Sequence, residues 1–399
     1  MPPDAPDADL DAEPELLMCP ITRAVFRDPV MVVDSGHTYE RSAILSHFER
    51  NGARDPLTNC DLSSTKVMTN WALRNVVQAW LDKHPSVTRI FDDEGDVGVL
   101  RTWRTMCPAL HDRWPEAARP DDWEGVTMEN GRVVELVLEE FGLTGAVPAE
   151  IGRLSALRVL DLDNNQLTSL PPEIGQLASL RELYLDSNQL TSLPAEIGQL
   201  ASLRELDLVG NELTSVPAEI GQLASLQRLY LDSNRLTSVP AEIGQLTSLE
   251  ELYLSDNELT SLPAEIWQLT SLEYLILYRN KLTSLPAEIG QLTSLTSLGL
   301  DGNQLTSVPA DIGQLTALRK LTLNDNQLTS VPAEIGQLTS LRELYLSDNQ
   351  LTSLPAEIWQ LTSLEYLDLE DNELTILPAA IRELRAAGCD VNLDAGVTF

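Results

Sequence analysis

The chain has 399 residues, 43% of them hydrophobic, with 61 acidic residues against 27 Lys and Arg and a formal net charge of −34. That length accommodates two or three domains, or one small domain and a long repeat array, and no apolar run approaches the roughly 18 residues of a membrane span. So negative a field repels phosphate backbones and anionic lipid, which excludes nucleic acid and membrane as the expected partners.

The acidity is uneven. Residues 1–132 hold 14 basic and 23 acidic residues, whereas 133–399 hold 13 and 38. Cys19, Cys60, Cys107 and Cys389 are scattered and form no disulfide framework, which points to the reducing cytoplasm, with the nucleus as the alternative. Residues 1–13 lack the basic end and apolar core of a secretory signal and are expected to be a disordered tail rich in Pro and Asp.

Residues 14–84 are locally neutral, with eight acidic and eight basic residues, and form a separate small domain. An apolar loop around Leu17-Met-Cys-Pro-Ile21 is followed by extended pieces at Asp28-Pro-Val-Met-Val-Val33 and a turn at Asp34-Ser-Gly36. The spacing of Ala43, Ile44, Leu45 and Phe48 predicts a helix over 40–50. A second loop, Asp55-Pro-Leu-Thr-Asn59, leads to another helix over 70–83, capped by Asn70, with Leu73, Val76, Val77, Trp80 and Leu81 as its buried stripe.

These words and their spacing resemble the U-box, a small α+β domain of ubiquitin ligases with the outline of a RING finger but no zinc. They are Cys19-Pro-Ile21, Asp28-Pro-Val30, Asp34-Ser-Gly-His-Thr-Tyr-Glu-Arg41-Ser-Ala-Ile44, Asp55-Pro-Leu-Thr58, Asn70-x-x-Leu73 and Trp80. The ligand inventory agrees: two zincs need eight Cys or His, and this span holds only Cys19, His37, His47, Cys60 and His84. A single zinc on the first four would lack a closely spaced pair to hold one end, so no metal and no cofactor is expected. Cys19 is expected as a small buried hydrophobe and His37 as a polar turn residue.

The resemblance implies that the domain binds a ubiquitin-charged conjugating enzyme through an apolar groove between its two loops and the first helix. Carried over position by position, the contacts fall on Ile21 with Arg23 beside it, on His47, and on Pro56 and Leu57. No covalent intermediate forms on such a ligase, which acts by proximity and orientation. Many members carry an arginine where this chain has Asn59, which lacks the charge and the forked donors, and Thr69 stands where Pro often precedes Asn70. The resemblance leaves dimerisation of the U-box open.

Residues 85–132 are expected to be a linker, acidic at Asp92–Gly98, and the amino-terminal cap of a repeat array. A short helix is predicted over 99–114, and Trp103, Trp114 and Trp123 are assigned to cap packing. From residue 133 to 393 the chain repeats. Leu-x-x-Leu-x-Leu-x-x-Asn recurs ten times at a spacing of 23 residues, from Asn165 to Asn372, after an irregular first copy with Phe141 in the Asn position. A last degenerate copy ends in a strand at Asp390–Leu393, and 394–399 form a tail.

The array resembles leucine-rich repeats, which implies an α/β solenoid with a curved parallel sheet on its concave face. Roughly seven apolar residues per copy, at about 1.5 to 3 kcal/mol each when buried, reach that burial only between neighbours. Because the Leu scaffold barely varies, information resides where copies differ. Seven of the eight tyrosines lie there: Tyr184, Tyr230, Tyr253 and Tyr345 at the middle strand position, with Tyr274, Tyr278 and Tyr366 adjacent. Carboxylates such as Glu182, Asp186, Glu205, Asp207 and Asp232 surround them, against Arg228, Arg279 and Lys320. Such a surface suits a protein substrate with a basic patch. Trp267 and Trp359 replace a Gly of the return segment, either as a convex contact or as filler between turns.

Together these features predict a ubiquitin ligase whose U-box recruits a charged conjugating enzyme and ubiquitin, and whose repeats hold a protein substrate. The alternative is a non-catalytic scaffold with an inactive U-box. A ligase with its own cysteine nucleophile needs a further domain after Phe399, and is not expected.

Overall fold

A period of 23 residues returns each Leu-x-Leu segment to the same place beside its predecessor, and the repeat unit is built from such returns. In the computed structural model, residues 17–21, 26, 29–70, 73, 76–77, 95–377, 379–395 and 397 are described. The chain divides into two compact units, Met1–Gly98 and Val99–Phe399.

In the first unit, β1 (Pro29–Val32) lies between β2 (Thr38–Glu40) and β3 (Val67–Thr69), antiparallel to both. Helix α1 spans Arg41–Asn51, close to the predicted bounds, and ends at Gly52 with φ of 70°. Leu17, Cys19, Phe26, Val30, Val32, Tyr39, Ile44, Phe48 and Val77 form a small core. Two residues predicted on the apolar faces of the helices are exposed instead. Leu45 is exposed because it follows Ile44 onto the far side of the helix, and Val76 is 55% exposed while its neighbour Val77 is buried. Asn70 Oδ1 accepts the Leu73 N–H at 3.1 Å, the bond expected of a helix cap. Trp80, Leu81 and most of the second predicted helix lie outside the described residues.

The second unit carries a 13-stranded sheet, parallel throughout except for the opening hairpin Val126–Glu129 and Arg132–Val137. Registers advance by 23 residues per strand, so Leu183, Leu206, Leu229 and Leu252 sit side by side. After that hairpin each strand has only three residues, typically Glu205–Asp207, and the chain returns through a 3₁₀ turn such as Ala218–Gln222 opened by Pro217. This is a leucine-rich-repeat solenoid. The buried leucines of all copies form one continuous core with the cap residues Trp103, Trp114 and Trp123. Trp114 and Trp123 stack in parallel, 5.1 Å between centroids, and Phe141 is buried under the Arg113 guanidinium. The array closes on the helix Ala380–Ala386 and the strand Asp390–Asn392, which pairs with Tyr366–Asp368.

What holds neighbours together is the repeated Asn. Asn211 Oδ1 accepts the Leu190 N–H of the preceding copy at 3.0 Å. Its Nδ2 lies 2.9 Å from Leu185 O of that copy, and 3.2 and 3.1 Å from Leu208 O and Val209 O of its own turn. The residue before each ladder Asn is left-handed in all ten copies, with φ between 47° and 64°, although only two of them are Gly. That conformation is costly for Ser, Asp or Arg, and the Asn bonds across the turn offset it.

Return turns pack equally closely. A Cβ on Gly221 would stand 2.4 Å from Glu242 O of the next turn. Trp267 and Trp359 occupy this same column with different outcomes: Trp267 is fully buried, as filler, whereas Trp359 is 49% exposed where the closing helix replaces a further turn.

The ladder makes a prediction. Asn211→Ala leaves the buried Leu190 N–H without an acceptor, at about 1–3 kcal/mol for a buried group left unsatisfied, whereas Leu185 O, Leu208 O and Val209 O keep donors in Asn188, Asn234 and the Ser187 N–H. Amide exchange at Leu190 and in the two flanking copies should accelerate by on the order of 100-fold, while the amides of residues 29–70 keep their protection. Unchanged exchange at Leu190 refutes the role given to the ladder.

Candidate functional site

In the first unit both loops are fastened to the ends of α1 and the strand before it. The first loop closes through Phe26 N–H to Leu17 O at 2.8 Å, and buried Cys19 Sγ accepts the Glu40 N–H at 3.2 Å. The second loop is a tight return in which Asp55 N–H donates to Cys60 O and Asn59 N–H to Asp55 O.

Buried Asp55 organises that loop. Its Oδ1 accepts from Tyr39 Oη at 2.9 Å, from the Leu57 and Thr58 N–H groups at 3.0 Å and from Thr58 Oγ1 at 3.1 Å, while Oδ2 lies 3.1 Å from His37 Nδ1. Burial alone would raise the carboxyl, but hydrogen bonds from Ser35, Thr58, His37 and Tyr39 outweigh it and hold the group well below the usual carboxylate range. Burial first, and then the bond to Asp55, pushes the Tyr39 hydroxyl up. His37 is therefore more than a turn residue. Among the described residues no group of His, Cys, Asp or Glu is arranged to hold a metal ion.

The candidate contact residues sit at different places on this frame. Ile21 is 37% and Leu57 55% exposed on the two loops, with Pro56 half-buried beside Leu57. His47 links α1 to the second loop: Nε2 lies 3.0 Å from Arg54 O, and Nδ1 accepts from Asn51 Nδ2 at 3.1 Å, which places the ring proton on Nε2. Asn59 is exposed with φ of 58°, a conformation Asn tolerates better than most residues, so it has a backbone reason for its place. Arg23 lies outside the described residues. An open polar hollow of about 580 Å³ beside Asp34, His37 and Cys60 is lined by none of Ile21, His47, Pro56 or Leu57.

On the sheet of the second unit, Tyr184, Tyr230, Tyr253 and Tyr345 are third residues of their strands, because the middle position is the buried Leu; Tyr274 and Tyr366 are first residues. They do not form one row. Tyr230 and Tyr253 meet edge to face at 5.1 Å, and Tyr345 and Tyr366 make a second, tilted pair at 5.1 Å. Between them Tyr278 lies across Gly299, where a Cβ would stand 2.2 Å from its ring. Hydroxyls are tethered to carboxylates: Tyr230 donates to Glu251 at 2.9 Å, and Tyr184 and Tyr345 to Glu182 and Glu343 at 3.2 Å.

Sequence reasoning missed two features of this unit. Asp161 and Asp163 extend the carboxylates into the first regular copy; burial first, and then Asp161, Asp207 and Asp186, pushes Asp163 up to about 7, and burial likewise pushes Asp207 up to about 6. Arg158, Arg181 and Arg204 form a column just before the strands, a pattern visible only when the position preceding each strand is compared across copies. Among the described residues no helix is long and apolar enough to cross a membrane.

A three-stranded, two-loop domain pinned by a buried carboxylate, and a solenoid of 23-residue copies, define a modular protein of two parts. Known proteins divide in the same way. The U-box domain model matches residues 13–86, and leucine-rich-repeat models match 156–177, 173–262, 256–348 and 339–379. Residues of the U-box are 44% identical over 71 residues to the E3 ubiquitin-protein ligase CHIP of Arabidopsis thaliana, and 39% over 71 residues to U-box domain-containing protein 33 of the same plant. Each match takes in 18% of this chain, and only 25% and 8% of those relatives.

A leucine-rich-repeat protein of Leptospira interrogans is 40% identical, with a TM-score of 0.52, over 62% of this chain and 75% of that one. The Arabidopsis receptor kinase HAESA, solved with a peptide hormone and a co-receptor, is 30% identical with a TM-score of 0.63, over 72% of this chain and 51% of that one. The chain belongs to the leucine-rich-repeat proteins and carries a U-box domain before its repeats.

One carboxylate of each unit, the buried Asp55 and the half-buried Asp163, can be tested. Asp55→Ala removes the acceptor of the Tyr39 hydroxyl and of the Thr58 N–H, at about 1–3 kcal/mol each, and leaves the Leu57 N–H only its longer bond to Tyr39 Oη at 3.3 Å, so the amides of residues 29–70 should lose most of their exchange protection while the repeats keep theirs. Asp163 has a folded value above its unfolded one, so the stability it contributes is complete below about pH 4 and falls as pH rises towards 7. Carbon NMR of its carboxyl should show a midpoint near 7, and Asp163→Asn should flatten the decline in array stability across that window; an ordinary acidic midpoint refutes the assignment.

Proposed function

We propose that this protein is a ubiquitin ligase of the U-box type. Ile21, Pro56 and Leu57, with His47 between them, are the contacts for a ubiquitin-charged conjugating enzyme, and Arg23 is assigned there by resemblance. The observation that carries this reading is the exposure of Ile21 and Leu57 on two loops that are both hydrogen-bonded to the α1 region, within a domain similar to those of ubiquitin ligases. Rigid aliphatic side chains on pinned loops lose little freedom when covered. The domain supplies no nucleophile; transfer occurs from the conjugating enzyme's thioester to a substrate lysine held close by.

The repeats hold the substrate on the sheet face. Two aromatic pairs, at Tyr230 and Tyr253 and at Tyr345 and Tyr366, surrounded by carboxylates, favour a protein segment with basic and apolar residues. The solved neighbour HAESA, in complex with a peptide hormone, supports a solenoid of this type as a holder of peptide segments. A second reading, a binding scaffold with an inactive U-box, rests on Asn59, which stands in a left-handed turn without the charge and forked donors of arginine.

Incubation with activating enzyme, ubiquitin and a panel of conjugating enzymes tests the first reading. Chain formation with at least one of them is expected, reduced at least tenfold by Ile21→Ala or Leu57→Ala, with the fold intact by circular dichroism. Asn59→Arg separates the readings: a weak ligase speeds up several-fold, and an inactive scaffold stays silent. Silence of both the parent and this variant with every conjugating enzyme overturns the ligase reading.

A further inference from the structure

Most cations near the sheet are neutralised by a carboxylate one copy away. Arg228 pairs with Glu205, Arg235 with Glu212 at 3.2 Å, Lys281 with Glu258 at 3.1 Å and Lys320 with Glu343 at 3.0 Å. Arg181 and Arg204 break the pattern side by side; Arg319, further along the array, breaks it singly, because its neighbour Arg342 is paired with Glu365 at 2.9 Å. Arg181 and Arg204 are both exposed, and neither side chain has an ion pair or hydrogen bond among the described residues.

Arg158, Arg181 and Arg204 occupy the same place in three successive copies. Arg181 N–H donates to Arg158 O and Arg204 N–H to Arg181 O, both at 2.8 Å, so they stand on adjacent chains about 4.8 Å apart. Arg158 is tied to Glu129, and Arg132 donates to Ser155 Oγ at 2.9 Å. Arg132, Arg158 and Arg181 line a shallow groove of about 450 Å³ together with Glu129, Ser179 and Ser202, and Arg204 stands one copy beyond its lining. The column then changes sign, with Gln227, Glu250 and Glu273 in the next copies. A carboxylate is thus tolerated at this place in the repeat, and nothing in the repeat geometry demands arginine. Like charges on neighbouring strands repel each other, so two unpaired arginines side by side oppose folding unless a ligand uses them.

We propose that this edge of the sheet is a docking site for a phosphorylated segment of a partner protein, with the phosphate held between the guanidinium groups of Arg181 and Arg204. Guanidinium forks match phosphate oxygens two at a time, and a phosphoserine or phosphothreonine concentrates close to two negative charges on one group. The surroundings select against an extended polyanion. Asp161, Asp163 and Asp186 stand on the same copies, so a nucleic acid or a long acidic run reaching past the arginines meets repulsion, whereas one phosphate on an otherwise neutral segment does not. The site is separate from the tyrosine-lined strand positions and needs no conjugating enzyme, so its test is independent of the ligase reading.

The test is fluorescence polarisation of the full chain with a phosphoserine peptide library of neutral random flanks, its unphosphorylated twin, and a single-stranded oligonucleotide. The phosphorylated library should bind at least tenfold more tightly than its twin, and inorganic phosphate should compete. Arg181→Gln with Arg204→Gln should abolish that difference, while Arg319→Gln, an exposed arginine in the same column of a distant copy, should leave it within twofold. Circular dichroism should show the double variant folded, since both side chains are at the surface. Equal binding of the two libraries, an unaffected double variant, or preference for the oligonucleotide overturns the proposal.

Discussion

The repeat unit depends on one side-chain amide used ten times. An asparagine carboxamide is short and offers an acceptor and two donors on one plane, so it can join the turn it sits in to the copy before it. In every regular copy its Oδ1 meets a backbone N–H of the preceding copy, and its Nδ2 meets carbonyls of both copies. Aspartate has no donor for those carbonyls, and glutamine is too long. The ladder also sustains the left-handed residue before each Asn, so backbone strain and its compensation recur together. With the register set in this way, each Leu falls on the Leu of its neighbour, and hydrophobic burial comes from the stacking.

Asp55 does for the first unit what the asparagines do for the second. In zinc-bound folds a metal would gather loops such as these two. Here one buried carboxylate accepts from Tyr39, Thr58 and two loop amides and faces His37, so a tyrosine on the sheet and the second loop share one centre. The same network leaves Leu57 facing outward, which connects the stability of the domain to the surface proposed for the conjugating enzyme.

Freedom to vary lies where the scaffold makes no demand. In the sheet the Leu positions are committed to the core and the Asn positions to the ladder, so Tyr, Glu, Asp and Arg distribute over the remaining positions at little structural cost. The result is two tyrosine pairs separated by Tyr278 over Gly299, a carboxylate row whose burial raises Asp163 and Asp207, and an arginine column ahead of the first strands. Each is a property of neighbouring copies; no single copy has it.

By itself the sequence determined the solenoid, its 23-residue register, the presence of a U-box before it and the cap tryptophans, because hydrophobic period and spaced words are local patterns repeated along the chain. It also marked the tyrosines as the variable positions. It did not determine that Tyr230 meets Tyr253, that Asp55 is the acceptor for Tyr39 and His37, or that Trp267 is buried while Trp359 is half exposed. Those outcomes turn on which residue lies one copy, or sixteen to eighteen positions, away in the folded chain. Tertiary structure decides them because distance, burial and charge between side chains exist only once the copies are stacked and the loops are closed.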